Sequence, residues 1–100
     1  MSERNIEFEI KLSEISQSAL NTVVDRLKDQ ISFTEITCSD LKEKNPDNVV
    51  EILKHEMLIV NWKKILNSVL DKLIEESKSH FLLLKSLQEE YEEVQQQNIH

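Results

Sequence analysis

Glycine is missing from this 100-residue chain, and Pro46 is its single proline. An average chain of this length carries about seven glycines and about five prolines. Phosphate-binding loops, dinucleotide-binding turns and the nucleophile elbow all need glycine, because the backbone there takes positive φ or approaches a ligand closely. The composition therefore argues against these enzyme classes and favours a chain made mostly of helix.

Long apolar runs are missing as well. The longest, 57–60 and 81–84, have four residues each, whereas a membrane-spanning helix needs roughly 20. The amino-terminal residues are polar and charged, unlike a secretory signal. Because Cys38 is the single cysteine, we expect no disulfide within the chain and an intracellular location, in the cytoplasm or the nucleus.

Positive charge is scarce. Twelve Lys and Arg stand against nineteen Asp and Glu, for a formal net charge of −7. A nucleic-acid surface gains affinity when basic side chains displace counterions from phosphates. The densest basic spot is Lys63 and Lys64, with Lys72 further along, which is typical of a solvated helix face. We therefore expect no direct nucleic-acid binding, and nothing in the sequence indicates a small-molecule substrate.

The segment Asn45-Pro46-Asp47 predicts the start of a helix. Asn caps helices well, Pro fits the first helical position, and Asp is favourable near the positive end of the helix dipole. No glycine or proline follows, so we predict a long helix over 46–97. A break is possible near 75–80, where six polar residues in succession interrupt the apolar pattern.

Upstream, a helix is predicted over about 6–36. Its apolar face recurs with a mean step near 3.7 and comprises Phe8, Leu12, Ile15, Ala19, Val23, Leu27, Ile31, Thr34, Cys38 and Leu41. Short strands remain an alternative at 6–12, which alternates with period two, and at 31–38, which is rich in β-branched residues. We expect an irregular or short helical stretch across 32–45.

The long helix carries two neighbouring apolar rows. The first advances by alternating steps of four and three through Trp62, Leu66, Val69, Leu73, Glu76, His80, Leu83, Leu87, Glu90 and Val94. The second runs through Leu66, Leu70, Ile74, Ser77, Phe81, Leu84, Gln88 and Tyr91. A two-stranded coiled coil needs one row, whereas two rows suit a helix packed against at least two others.

These patterns predict a single all-α domain over residues 1–100. Its architecture is expected to be an antiparallel helical hairpin, or a three-helix arrangement, with a long C-terminal helix. Partner chains are expected to complete it as a helical bundle or coiled coil.

The histidines and the cysteine do not indicate catalysis or a metal site. Glu51 with His55, and Glu76 with His80, stand four residues apart, whereas di-iron bundles use Glu and His three apart. Cys38 is expected to be a small buried side chain, since no histidine lies near it in sequence to activate it. We therefore predict no catalytic residue, no metal and no cofactor, and we interpret His80 as a polar residue that sets the register of an apolar row.

The function expected is that of a non-catalytic assembly subunit, a scaffold or coiled-coil connector. Because the second helix is longer than the first, its segment 82–97 is expected to project and to leave an apolar stripe for helical protein partners, in a hetero-oligomer rather than a homodimer. The predicted partner interface comprises Trp62, Leu66, Val69, Leu73, His80, Phe81, Leu83, Leu84, Leu87, Tyr91 and Val94.

Composition and architecture are similar to those of subunits of kinetochore complexes, which is the first interpretation; a vesicle-tethering subunit is also open. One alternative is a histone-fold-like obligate heterodimer, with helices at 13–30, 46–74 and 79–96 and a loop at 31–45. Another is a helical regulator that docks in a partner's groove.

Overall fold

The computed structural model describes residues 5–98, with side chains through residue 97. Two long helices make up this part of the chain, α1 (Ile6–Lys44) and α2 (Val49–Asn98), and no strand occurs within it. The all-α prediction is confirmed there. The strand alternatives at 6–12 and 31–38 are wrong, because α1 continues through both. The irregular or short helical stretch expected at 32–45 is also wrong, because α1 continues as one long helix to Lys44.

Side-chain caps explain how α1 begins. The Phe8 backbone N–H donates to Asn5 Oδ1 at 3.0 Å, so Asn5 satisfies a donor that has no partner within the helix. Glu7 and Glu9 in the first turn, and Lys42 and Lys44 in the last, complement the helix dipole.

The β-branched stretch is helical, and its threonine hydroxyls bond within the helix. Thr34 Oγ1 donates to the Gln30 carbonyl at 2.7 Å, and Thr37 Oγ1 donates to the Phe33 carbonyl at 2.9 Å. These bonds to carbonyls four residues earlier satisfy the threonines without a strand ladder.

One tight turn joins the helices. The Asn45 N–H donates to the Leu41 carbonyl at 2.8 Å and closes α1, and the Asn48 N–H donates to the Asn45 carbonyl at 3.0 Å. Pro46 thus occupies the second position of a four-residue turn, a position that its fixed φ suits. The predicted helix start at Pro46 is therefore three residues too early, since α2 begins at Val49.

Beyond this turn, α2 is a single helix to Asn98, without the possible break near 75–80. The arrangement considered for a histone-like fold is also wrong. It requires a loop at 31–45 and an interruption between 74 and 79, but α1 is helical through Lys44 and α2 is helical across 74–79.

The chain forms two compact units. Unit 1 comprises residues 5–20 and 72–98 of the described part, and unit 2 comprises Asn21–Asp71. Each unit pairs a segment of α1 with a segment of α2. Whether the chain behaves as the single domain predicted over 1–100 stays a prediction.

Unit 2 has an apolar interior between antiparallel segments, as expected for helices joined by so short a turn. The buried residues of its α1 segment follow one another at steps of three and four, the coiled-coil spacing. They are Val24, Leu27, Ile31, Thr34 and Cys38. The half-buried residues of its α2 segment include a row with the same spacing, Ile52, His55, Ile59, Trp62, Leu66 and Val69.

The face predicted for α1 is correct from Leu27 onward and wrong before it. Phe8, Leu12 and Ile15 are exposed, as are the next two members of the predicted face, Ala19 and Val23. A row with steps of three and four is buried or half-buried instead, and it comprises Ile10, Ser13, Gln17, Leu20 and Val24. Side chains that stay in contact with a partner helix along its length recur about every 3.5 residues on average. The predicted row has a mean step near 3.7 residues, so it gradually turns away from the partner helix.

An ion pair crosses the helices of unit 2. Lys42 Nζ lies 2.8 Å from Glu56 Oε1. Hydrogen bonding to Glu56, together with the charge of that carboxylate, raises the pKa of Lys42 above its ordinary 10.5. Because folding raises the pKa of Lys42, the ion pair contributes fully to the stability of the folded chain at pH values below the ordinary lysine pKa. This contribution is lost as the pH rises through the pKa that Lys42 has in the folded chain.

We predict that Ile31→Ala destabilises unit 2 by about 2–4 kcal/mol, because it opens a cavity in the apolar interior. Ile31 is 7% exposed. Ile36, on the same helix, is 69% exposed, so Ile36→Ala is the matched control and should change stability by less than about 0.5 kcal/mol. Urea unfolding followed by circular dichroism measures both. Equal losses would contradict the assignment of the buried row.

Replacing Glu56 by Gln should lower the pKa of Lys42, because the carboxylate charge that favours the ammonium is removed. NMR titration of the Lys42 side chain measures the shift. The wild type should also lose more stability than E56Q as the pH rises above the ordinary lysine pKa of 10.5. Asp40→Asn, which removes the partner of Lys44, is the control and should leave Lys42 unchanged. An unaltered Lys42 titration in E56Q would show that the ion pair does not persist in solution.

Candidate partner-binding surface

Unit 1 carries many of its large apolar side chains on the outside. On its α1 segment the exposed ones are Phe8, Leu12 and Ile15. On its α2 segment they are Ile74, Phe81, Leu82, Leu84, Tyr91 and Val94. Clustered exposed apolar side chains of this size are typical of surfaces that contact other proteins.

The interior of unit 1 is correspondingly polar. Among its described residues, Ile10 is the one apolar side chain that is buried, whereas unit 2 buries four. Polar residues in the interior of unit 1 include Ser13, which is buried, and the half-buried Gln17, Glu76 and His80. The helix pair in unit 1 therefore gains less from apolar burial than the pair in unit 2.

A chain of hydrogen bonds links the two helices of unit 1. Ser77 Oγ donates to Gln17 Oε1 at 3.3 Å, and Gln17 Nε2 donates to Ser13 Oγ at 3.4 Å. His80 Nδ1 lies 3.2 Å from the same Ser13 oxygen. Ser13 on α1 is paired with His80 on α2, and the later residue Gln17 is paired with the earlier residue Ser77. The two segments are therefore antiparallel. Because these polar groups find partners in this alignment, they specify the register of the pair.

An apolar groove lies on the α2 segment of unit 1. We call it the Phe81 groove; it has a volume of about 600 Å³ and is lined by Leu73, Ile74, Ser77, Lys78, Phe81 and Leu82. Its floor is apolar, and Lys78 is the one charged residue in its lining. These residues repeat at helical spacing and present a single face of α2.

Two smaller grooves differ in charge. The one on unit 2 has a volume of about 320 Å³, and its lining includes Glu56 and Lys64, one residue of each sign. The other, in unit 1, has a volume of about 380 Å³, and its lining combines Glu9 with two serines and two leucines. The Phe81 groove is thus the most apolar of the three.

Within the described residues, no three histidine, cysteine or acidic side chains come together as metal ligands would. None of the helices over 5–98 has the combination of length and apolar composition required to cross a bilayer. Cys38 is 3% exposed, with its thiol 4.0 Å from the Ile52 carbonyl oxygen, which confirms the prediction of a small buried side chain.

No protein-family model, curated protein or solved structure matches this chain significantly. The function must therefore be inferred from the surface itself.

The structure separates the predicted interface residues into two groups. Those that are half-buried are Trp62, Leu66, Val69, Leu73, His80, Leu83 and Leu87. Those that are exposed and open to a partner are Phe81, Leu84, Tyr91 and Val94. The predicted projecting segment is also shorter, because uninterrupted exposure begins at residue 88 rather than 82.

The interior positions Ser13 and Gln17 were not predicted from the sequence, and Phe8, Leu12 and Ile15 were predicted on the inward face but are exposed. The first two are polar, so they do not stand out in an apolar pattern. The available signal was the polar His80 within the first row of α2: a half-buried imidazole needs a polar partner, and Ser13 provides it.

We predict that Ser13 and His80 are energetically coupled. Ser13→Ala leaves the imidazole without its partner, and His80→Leu leaves the serine hydroxyl without its own, whereas the double variant removes both groups. A double-mutant cycle, measured by urea unfolding, should therefore give a coupling of about 0.5–1.5 kcal/mol.

Ser68→Ala is the control for this cycle. The Ser68 hydroxyl bonds within its own helix, to the Lys64 carbonyl, so its cycle with His80→Leu should give no coupling. A Ser13–His80 coupling indistinguishable from this control would contradict the role of the hydrogen bond in alignment.

Proposed function

We propose that this chain is a non-catalytic helical subunit that assembles with helical partners through unit 1. Its role is that of a scaffold or coiled-coil connector, and the partner covers the exposed apolar face of the α2 segment. The expected assembly is a hetero-oligomer. A kinetochore-type complex is the first candidate, by analogy of composition and architecture.

One observation carries this proposal. Unit 1 exposes Phe81, Leu82 and Leu84 on α2, while Ser13 and His80 occupy its interior. A helix pair that stood alone would gain stability from the reverse arrangement, with apolar residues inside. The arrangement is favourable when another helix covers the outer face, because bundles bury more than one row per helix.

An intracellular location is part of the proposal. It rests on the single cysteine, Cys38, which is a free thiol, and such thiols are usual in a reducing compartment. The charge of −7 favours protein partners over nucleic acid.

The proposal predicts that Phe81→Asp dissociates the assembly. A tagged full-length chain purified from its source cell should elute as a complex of defined stoichiometry, with its mass given by light scattering and its subunits by mass spectrometry. Removal of a buried aromatic anchor costs about 2 kcal/mol or more in binding, a factor of roughly thirty in Kd. We therefore expect the variant to elute without its partners.

Phe33→Asp is the matched control, since Phe33 in unit 2 is 67% exposed and Phe81 is 66% exposed. The control should keep its partners, and both variants should keep the helical content of the wild type by circular dichroism. A wild-type chain that is a partner-free monomer would overturn the proposal. Loss of partners in the Phe33 variant alone would place the binding surface in unit 2 instead.

A further inference from the structure

We propose that the Phe81 groove binds an amphipathic helix of another protein, and that this helix presents acidic residues to Lys78 and Lys85. The inference rests on the proposed assembly function and specifies the chemistry of the partner.

The apolar floor of the groove defines the first half of this chemistry. It extends along α2 from Leu73 to Leu82, roughly 15 Å of helix. Ile74, Phe81 and Leu82 are all more than half exposed. A face of this kind, three turns long and built on one helix, matches the apolar face of a second helix laid along it.

The lysines define the second half. Lys78 lines the groove, and Lys85 stands seven residues further on, which places it on the same side of the helix. Both are exposed, and neither forms a hydrogen bond or ion pair with the residues that the structure describes. Beside an apolar floor, two free ammonium groups two turns apart complement carboxylates at the same interval on a partner helix.

A second copy of this chain fits the groove less well. Two copies of α2 could pack antiparallel with the lysines of one copy opposite the lysines of the other. The two-fold axis that relates the copies would then pass at Lys78, at Lys85 or midway between them. In each of these registers at least one lysine faces a lysine, and such like-charge contacts are destabilising. In these registers, charge repulsion therefore disfavours a second copy as the occupant of the groove.

An anionic membrane is also disfavoured. Four acidic residues, Glu89, Glu90, Glu92 and Glu93, lie within about two turns after Lys85 on α2. They would be repelled by the negative potential of an anionic lipid surface. A helix, in contrast, can place its acidic residues beside the two lysines alone.

Two synthetic helical peptides test the proposal. Both have three heptads with a Leu and Ile seam; one carries Glu at two flanking positions seven residues apart, and the other carries Lys there. Fluorescence anisotropy of the labelled peptides, titrated with the full-length chain at low salt, gives the two Kd values. We expect the acidic peptide to bind about tenfold more tightly, because two ion pairs replace two repulsions.

Substitutions in the chain then assign the effect. Lys78→Glu combined with Lys85→Glu should reverse the preference between the peptides. Phe81→Asp should weaken both peptides about tenfold or more, and Phe33→Asp, equally exposed in unit 2, should change neither Kd.

Three results would overturn the inference: equal binding of both peptides or none, a dimer by analytical ultracentrifugation that Phe81→Asp dissociates, or binding to phosphatidylserine vesicles that depends on the two lysines. If the peptides fail to discriminate while partners from the source cell still depend on Phe81, the assembly function stands and the acidic-helix inference alone is wrong.

Discussion

Two packed helices bury one row of side chains on each, and this geometric limit determines much of what the surface of this chain presents. The α2 helix carries two neighbouring apolar rows, so one of them stays outside its own helix pair. In unit 1 the half-buried row includes Leu73, Leu83 and Leu87, and the outer row includes Ile74, Phe81 and Leu84. The exposed face thus follows from the number of helices, not from a defect in packing.

The two units divide stability and specificity between them. Unit 2 buries Val24, Leu27 and Ile31, which supply apolar burial. Unit 1 relies on bonds among Ser13, Gln17 and their partners on α2, and such bonds add little net stability but penalise other alignments. A partner that bound unit 1 would stabilise it by mass action, so partner binding and local folding are expected to be linked there.

Much of the helical architecture could be predicted from the sequence because its signals are local. The lack of glycine and the strict alternation of steps from Trp62 onward indicate the long α2 helix and its inward row. The position of the turn was predictable from Pro46, but the start of α2 was not, since Asn and Pro suit both a helix start and a reverse turn. Only the bond between Asn48 and Asn45 distinguishes them.

The inward face of α1 was harder to predict, because it depends on contacts with α2. Hydrophobicity alone favours Phe8, Leu12 and Ile15 as the inward row, yet the row that is covered contains Ser13 and Gln17. Had Leu12 replaced Ser13 beside His80, the half-buried imidazole would have lost its partner, at a cost of about 1–3 kcal/mol. The Ser13–His80 pair therefore opposes a rotation of α1 about its own axis that would turn Leu12 and its apolar neighbours inward. In the observed alignment, the large apolar side chains Phe8, Leu12 and Ile15 lie outward.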